Sequence, residues 1–247
     1  MTVEFSAVEA AVGRVRERIA QAAARAGRNT EEIRLVAVTK TFGADAVRAA
    51  YAASVRHFGE NWLQEWEAKR AEVGRPEGAV FHMIGHLQRN KARRAAAIFD
   101  RVDSVDSVAL ARKLDQGAGE LGRKIPVLVE VRLSEEPTKT GIDPEVMEGL
   151  CEDLSGLAHL SLEGLMTIPP WSENPEASRP YFRRLRELRD KMAEHLGKPL
   201  PVLSMGMTND FETAIEEGAT EVRVGTAIFG KRAKPAAHGA PAPSEPK

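Results

Sequence analysis

A lysine at the end of an apolar run is the first residue of the chain whose type and position could support chemistry. In the segment EEIRLVAVTKTFG, residues 35–39 are apolar or uncharged, and Lys40 follows them directly. Most lysines are solvated charges, and Lys40 taken alone fits that description. A lysine that is partly buried beside other cations has a lowered pKa, and its neutral amine then attacks carbonyl groups. Residues at other strand ends bear on the choice.

Two later segments combine small residues in a way that is typical of phosphate sites. SMGMTNDF contains Ser204, Gly206 and Thr208, and VRVGTAIFG contains Gly225 and Thr226. Each segment leads into a helix-like stretch, whose first turn offers free backbone N–H groups and the positive end of the helix dipole. Small residues let such a backbone approach an anion closely. We therefore expect a phosphate site, although two ordinary turns would use the same residue types.

An arginine between two valines adds a third polar element. Arg223 lies between Val222 and Val224 in a strand-like run. Side chains alternate between the faces of a strand, so Arg223 points inward if both valines pack outward. A buried arginine needs a partner. That partner is either an inward acid, such as Glu130 or Glu163, or an acceptor atom of a ligand.

Strand-like and helix-like segments alternate along the chain, which indicates a parallel sheet. The strand-like runs are 34–39, 55–59, 80–84, 101–105, 126–131, 161–167, 202–206 and 221–224. Eight such units with little insertion favour an α/β fold of one closed (β/α)8 TIM barrel over an open sheet. Barrel sites lie at the C-terminal ends of the strands, and the loops after strands 7 and 8 often bind phosphate.

The two ends of the chain lie outside the eight repeating units. An additional N-terminal helix is predicted, with a capping box at 6–9 and a stop at Gly27. The apolar residues on one face of this helix are Val8, Val12, Val15 and Ile19. We assign residues 1–233 to a single barrel domain. Residues 234–247 are rich in proline and alanine and predict a disordered tail.

Composition excludes several classes of protein. The 247 residues include 35 Lys and Arg against 36 Asp and Glu, so the net charge of −1 gives no general attraction to nucleic acid or to an anionic membrane. No signal peptide or membrane-length apolar run is present. The single cysteine, Cys151, reads as a packed thiol in a reducing compartment. We expect a cytoplasmic protein, and a monomer because no helix face is unusually apolar.

A series of motifs resembles one family closely. VAVTKT, FGEN, HMIGHLQRNK, KTGI, GLMTIP, SMGMTND and VRVGTAIFGKR follow one another over residues 35–232. In this order they are similar to the motifs of the pyridoxal-phosphate (PLP) homeostasis protein family, whose fold-type III barrel is like the N-terminal domain of alanine racemase. Any one motif is weak, but the ordered set is highly specific.

The resemblance implies a role for each matching residue. It implies that Lys40 forms a Schiff base with PLP, that Arg223 faces the pyridine nitrogen, and that Asn61 and Met166 lie near the ring. The residues that hold the phosphate or shape its cradle are Ser204, Gly206, Met207, Thr208, Gly225 and Thr226. No catalytic residue and no metal ligand is implied.

The function implied by the resemblance is PLP binding, storage and delivery in vitamin B6 homeostasis, without established turnover. Apo forms of PLP-dependent enzymes are the implied recipients. The chain departs from the family pattern at Trp62, where tyrosine is common, and at Thr208, where serine is common. It also departs at Glu130 and Arg132, where glutamine and asparagine are usual, and Arg132 either pairs with an acid or points outward.

The rival hypothesis is a PLP-dependent amino-acid racemase, and a ligand-free interaction module is a third. Racemisation needs acid–base groups on both faces of the substrate. Lys40 could serve one face, but the two tyrosines, Tyr51 and Tyr181, lie in helix-like segments and are poorly placed for the other. His82 and His86 are possible bases, although structural histidines are the commoner case. An interaction module does not explain the convergence at strands 1, 7 and 8.

Overall fold

Eight short strands close into a parallel barrel in the order of the chain, as the alternating pattern predicts. The computed structural model describes residues 4–134 and 140–230. The strands are β1 Arg34–Val38, β2 His57–Glu60, β3 Val80–Met83, β4 Arg101–Val105, β5 Ile125–Glu130, β6 Leu160–Met166, β7 Val202–Ser204 and β8 Glu221–Val224. β1 pairs with both β2 and β8, which closes the barrel.

Helices surround the strands on the outside. Within the described ranges they are α1 Phe5–Arg25, α2 Ala44–Ala52, α3 Leu63–Val73, α4 Ala92–Ile98, α5 Val108–Glu120, α6 Pro144–Ser155, α7 Arg179–His195, α8 Phe211–Glu216 and α9 Thr226–Phe229. The predicted strand at 202–206 is two residues too long, because Gly206 has a φ of +91° and turns the chain away from β7. A separate 3-10 turn, Arg89–Lys91, precedes α4.

The additional N-terminal helix is present, and its predicted apolar face is buried. The predicted capping box is wrong. The helix begins at Phe5, so Ser6 lies inside its first turn and donates a hydrogen bond to Glu4 rather than capping a backbone N–H. The chain leaves the helix at Ala26, and Gly27 follows with a φ of +66°.

The main core lies between the sheet and the helices, because the strands bury their outward apolar side chains there. A small apolar cluster of Leu128, Met166 and Val202 fills part of the barrel interior. Cys151 belongs to the outer core, and burial raises the pKa of its thiol to about 12. The thiol therefore stays protonated at neutral pH, as expected for a packed cysteine.

Two of the sequence predictions fall partly outside the described residues. The tail at 234–247 and the domain boundary at 233 lie beyond residue 230, so both stay predictions. Among the described residues, no helix is both long enough and apolar enough to cross a membrane.

The close approach of β6 and β7 gives a test of the barrel. A Cβ atom added to Gly164 would lie 1.8 Å from the carbonyl oxygen of Val202, whereas one added to Gly149, on an exposed part of α6, would meet nothing within 4 Å. We expect Gly164→Ala to lower the free energy of unfolding by about 1–3 kcal/mol because the two backbones must separate. Gly149→Ala should be neutral or stabilising by up to about 1 kcal/mol. Urea denaturation of both variants measures the difference, and equal stabilities would contradict so close an approach of the two strands.

Candidate functional site

A cavity of about 480 Å³ opens at the C-terminal ends of the strands. Seven of the ten predicted site residues line it, namely Lys40, Asn61, Met207, Thr208, Arg223, Gly225 and Thr226. The remaining lining residues are Val38, Phe42, Ile84, Ile168, Pro170, Trp171, Ser172, Asn209, Asp210 and Gly230. The volume falls within the range of small-molecule sites, and the wall is apolar with a few converging polar groups.

The other three predicted residues lie beneath or behind this lining. Met166 and Ser204 are fully buried, and Met166 packs in the cluster inside the barrel. Gly206 supports the cradle from behind: an added Cβ would come within 2.5 Å of the Cβ of Ala214. These residues can shape the site without forming its surface.

Strand alternation explains which side chains face the cavity. Val36 of β1 is level with His57 of β2 and with Arg223 of β8, and Val38 is level with Gly59. Asn61 continues the inward series two residues after Gly59. Glu60 has the opposite parity, so it points outward toward α3, where it is fully buried.

Asp210 holds the first cradle loop, and Thr208 joins it to the second. The N–H of Met207 donates to Oδ1 of Asp210 at 2.7 Å, and the hydroxyl of Ser178 donates to Oδ2 at 2.8 Å. The N–H of Ala227 donates to Oγ1 of Thr208 at 3.3 Å. The two loops that the sequence associated with phosphate are thus one connected structure. We did not identify Asp210 from the sequence.

The second loop presents the start of a short helix to the cavity. Gly225 precedes α9, whose first residue is Thr226. The N–H groups of a first helical turn have no acceptor within their own helix. The N–H of Ala227 already donates to Thr208 and that of Ile228 to the carbonyl oxygen of Gly225, so among the described residues the N–H and hydroxyl of Thr226 are the groups of this turn left for oxygen atoms of a ligand.

Arg223 lines the cavity, and its guanidinium donates hydrogen bonds to two neutral acceptors. Its Nη1 donates to Oγ of Ser204 at 2.7 Å, and its Nη2 donates to the carbonyl oxygen of Thr167 at 2.9 Å. Neither acid that we considered as a partner takes this position, because Glu163 accepts from Arg101 at 2.8 Å and Glu130 accepts from Thr140 at 2.6 Å. The guanidinium is 3% exposed. Burial lowers the pKa of Arg223, although carboxylates farther away oppose that effect.

Several residues weighed in the sequence analysis lie elsewhere. Tyr51 donates to the carbonyl oxygen of Glu77 on the outside of the barrel, and Tyr181 lies on α7. Neither tyrosine lines the cavity. Arg132 points outward and forms an ion pair with Asp143 at 2.6 Å.

The two histidines of strand 3 and its following loop have different surroundings. His82 is fully buried inside the barrel, where it contacts Asp103 at 2.7 Å and His57 at 2.9 Å. His86 is half exposed and lies 3.2 Å from Asp106. Neither histidine lines the cavity.

A charged network fills the barrel below the cavity. Side-chain atoms of His82, Asp103 and Glu221 that could bind a metal ion lie within 4.8 Å of one another. This arrangement resembles a metal site. Arginines already neutralise both acids, however: Arg34 pairs with Glu221 at 3.2 Å and Arg101 pairs with Asp103 at 3.3 Å. A divalent cation would add positive charge beside two guanidinium groups, so the arrangement favours a structural ion network.

His57 makes the stability of the folded protein depend on pH. Burial, followed by the charges of His82, Arg34 and Arg101, lowers the pKa of His57 to about 3. The unfolded chain takes up this proton near pH 6.5, whereas the folded protein does not, so the stabilisation is present above pH 6.5 and is lost as the pH falls toward 3. Between pH 7 and pH 5 this loss amounts to at most about 2 kcal/mol.

We therefore expect His57→Asn, which cannot titrate, to lose less stability than the wild type on acidification. Chemical denaturation at pH 7 and pH 5 measures the difference between the two proteins. Parallel losses would show that His57 titrates normally in the folded state.

Comparisons with known proteins agree with the geometry. The family model described as "Alanine racemase, N-terminal domain" matches residues 11–233. The chain is 42% identical to the pyridoxal phosphate homeostasis protein of Aquifex aeolicus, over 90% of this chain and 96% of the relative. The solved structure of PipY from Synechococcus elongatus with PLP bound is 39% identical, with a TM-score of 0.77 over 86% of this chain and all of that chain.

A more distant neighbour supports the fold alone. Alanine racemase of Clostridium difficile matches with a TM-score of 0.71 at 16% identity, and the alignment covers 94% of this chain but 59% of the racemase. Close relatives and the family model agree over nearly the whole barrel, so this chain belongs to the pyridoxal phosphate homeostasis protein family, within the group that shares the N-terminal domain of alanine racemase.

Proposed function

We propose that this protein binds PLP in the cavity at the mouth of its barrel, holds it as a Schiff base on Lys40, and buffers or delivers it in PLP homeostasis. The observation that carries this proposal is the convergence of three chemical functions on one cavity. The cavity is lined by the amine of a lysine, by an arginine and by two connected loops of small residues. Among the described residues, no carboxylate lies within salt-bridge distance of that arginine.

The residues present fit the cofactor. A volume of about 480 Å³ accommodates a substituted pyridine ring with a phosphate group. Thr208 in the first loop and Thr226 in the second provide backbone N–H groups and hydroxyls for phosphate oxygens. Ser204 supports this end of the site indirectly, because its hydroxyl accepts a hydrogen bond from Arg223.

PLP supplies an aldehyde, and the chain supplies the groups that bind and orient it. Lys40 would hold PLP through a bond from its neutral amine to the aldehyde carbon, with the aldehyde oxygen and both amine protons leaving as water. Arg223, which can donate but not accept hydrogen bonds, would face the pyridine nitrogen and favour its unprotonated form. Asn61 and Met166 lie on the β2 and β6 sides of this space.

This arrangement favours a carrier over a racemase. An acid beside the pyridine nitrogen makes PLP a strong electron sink, and the arginine that we propose there, Arg223, fits a carrier or a racemase better than a transaminase. Racemisation also needs a proton donor on the face opposite Lys40. Among the described residues, no tyrosine or histidine lines the cavity. The curated relatives are named for PLP homeostasis and not for a catalysed reaction.

The cellular setting follows from the same proposal. We infer a cytoplasmic protein, since the charge-balanced chain has a single buried thiol, and a monomer, since no helix face of the sequence is unusually apolar. The recipients in this scheme are apo forms of PLP-dependent enzymes. An exposed tryptophan, Trp171, lies at the edge of the cavity where a recipient would meet the cofactor.

The central test concerns Lys40. Holoprotein treated with borohydride should carry a pyridoxyl group on the peptide that contains LVAVTK, because reduction makes the carbon–nitrogen bond permanent. Lys40→Ala should abolish this labelling and remain folded, since Lys40 lies at the partly exposed end of β1 and its loss leaves no core cavity. Mass spectrometry of the digested protein locates the label. Labelling of Lys91 in place of Lys40 would overturn the assignment.

The phosphate cradle has a separate test. Pyridoxal lacks the phosphate, so it loses the hydrogen bonds from both loops, and charge-assisted bonds of this kind contribute about 1.5–3 kcal/mol each. We expect pyridoxal to bind at least about a hundredfold more weakly than PLP. Equilibrium dialysis with each ligand measures this ratio, and equal affinities would contradict a phosphate site at these loops.

A further inference from the structure

The two neighbours of Lys40 are both held by side chains outside the cavity. The carbonyl oxygen of Thr39 accepts a hydrogen bond from Nζ of Lys69 at 2.9 Å, and its hydroxyl donates to Oε1 of Glu60 at 2.6 Å. On the other side of Lys40, the N–H of Thr41 donates to Oε1 of Glu65 at 2.6 Å. Three residues from β2 and α3 thus fix the backbone immediately before and after the lysine.

Thr41 requires such support because its backbone is unfavourable. Its φ is +69°, a conformation that β-branched residues rarely adopt. Residues in this region persist only where the surroundings enforce them, and they concentrate at functional sites. The hydrogen bond to Glu65 holds the Thr41 N–H in this orientation. The resulting bend directs the chain away from β1 at Lys40.

Lys69 connects the hydrogen bonds that precede Lys40 with the one that follows it. Its ammonium group lies 2.7 Å from Glu60 and 3.1 Å from Glu65 as well as 2.9 Å from Thr39, so all three of its donors are used. Lys69 is 6% exposed and Glu60 is fully buried. Burying such a pair contributes little net stability in general, because removing both charges from water offsets their attraction. A role beyond stability accounts better for its position.

We propose that Glu65 and Lys69, with Glu60, are positioning residues for Lys40, which hold the 39–41 turn so that the lysine amine reaches the ring-binding part of the cavity. The proposal rests on the proposed function, since it assumes that Lys40 bonds to PLP. Glu60, Glu65 and Lys69 do not line the cavity, so they act through the backbone of Thr39 and Thr41 and not by contact with the ligand.

Glu65 is the best residue to alter. Its side chain is one-quarter exposed, so its loss leaves no large core cavity. Glu65→Ala removes the acceptor of the Thr41 N–H, whereas Glu65→Gln keeps a carbonyl oxygen at the same place. Glu72→Ala, an exposed position on the same helix, is the matched control. A second probe is the pair Glu60→Gln with Lys69→Met, which removes the donor to Thr39 without leaving a buried charge alone.

The experiment is a cycle with Lys40→Ala. Equilibrium dialysis gives the dissociation constant for PLP, and borohydride trapping followed by peptide mass spectrometry gives the rate of bond formation at Lys40. We expect Glu65→Ala to weaken binding and slow trapping about tenfold when Lys40 is present, and to change binding less than about twofold in the Lys40→Ala background. Glu65→Gln should restore most of the trapping rate, and Glu72→Ala should match the wild type.

The outcomes separate the two proposals. Equal loss of affinity in both backgrounds would show that Glu65 merely supports the structure, and wild-type trapping in Glu65→Ala and in the Glu60–Lys69 double variant would show no role at all; either result overturns the positioning proposal while Lys40 remains the anchor. If wild-type protein carries no label on Lys40, the proposed function itself fails, and the positioning proposal falls with it.

Discussion

The site depends on the two-residue period of the strands and on the register in which β8, β1 and β2 pair in the closed barrel. Val36 is level with Arg223 on one side and with His57 on the other, so inward positions on β1, β2 and β8 follow from a single alignment. A slip by one residue would turn every inward side chain outward. Because Arg223 is level with Val36, it lies deeper in the barrel than Lys40. A ligand bonded to Lys40 can therefore extend inward to meet the arginine.

The same alternation divides the charges into separate groups. Outward-facing Glu60 meets Lys69 behind the Lys40 turn, and the acids deep in the barrel meet Arg34 and Arg101. Each buried acid in these groups has a basic partner, which offsets much of the cost of burial. Arg223 differs, because its guanidinium donates to a serine hydroxyl and a backbone carbonyl. The charge of Arg223 is thus directed at the cavity and is not neutralised by an ion pair with a described residue of the barrel.

The sequence predicted the barrel and its N-terminal helix from local periodicity, and five cavity-lining residues from strand ends; Asn61 and Met207 came from the resemblance to the family. The outward direction of Glu60 does not follow from the sequence, since β2 begins two residues later than its apolar pattern suggests and a short strand gives little signal. Asp210 and Glu65 were missed because each acts on a backbone N–H. Such contacts depend on how loops fold against helices. A charged residue on a helix surface gives the same sequence pattern whether or not its side chain forms a hydrogen bond with a loop.

Under the proposed function, the site also shows how holding a cofactor differs from catalysis with it. Binding would need only the anchor at Lys40, the loops for the phosphate and a donor toward the ring. Catalysis needs in addition a group on the second face of the substrate. The alignment with alanine racemase leaves about two-fifths of the racemase uncovered, while nearly all of this chain is used. In the proposed function the groups that hold the cofactor all belong to the barrel, and no tyrosine or histidine among the described residues lines the cavity to act as a second acid–base group.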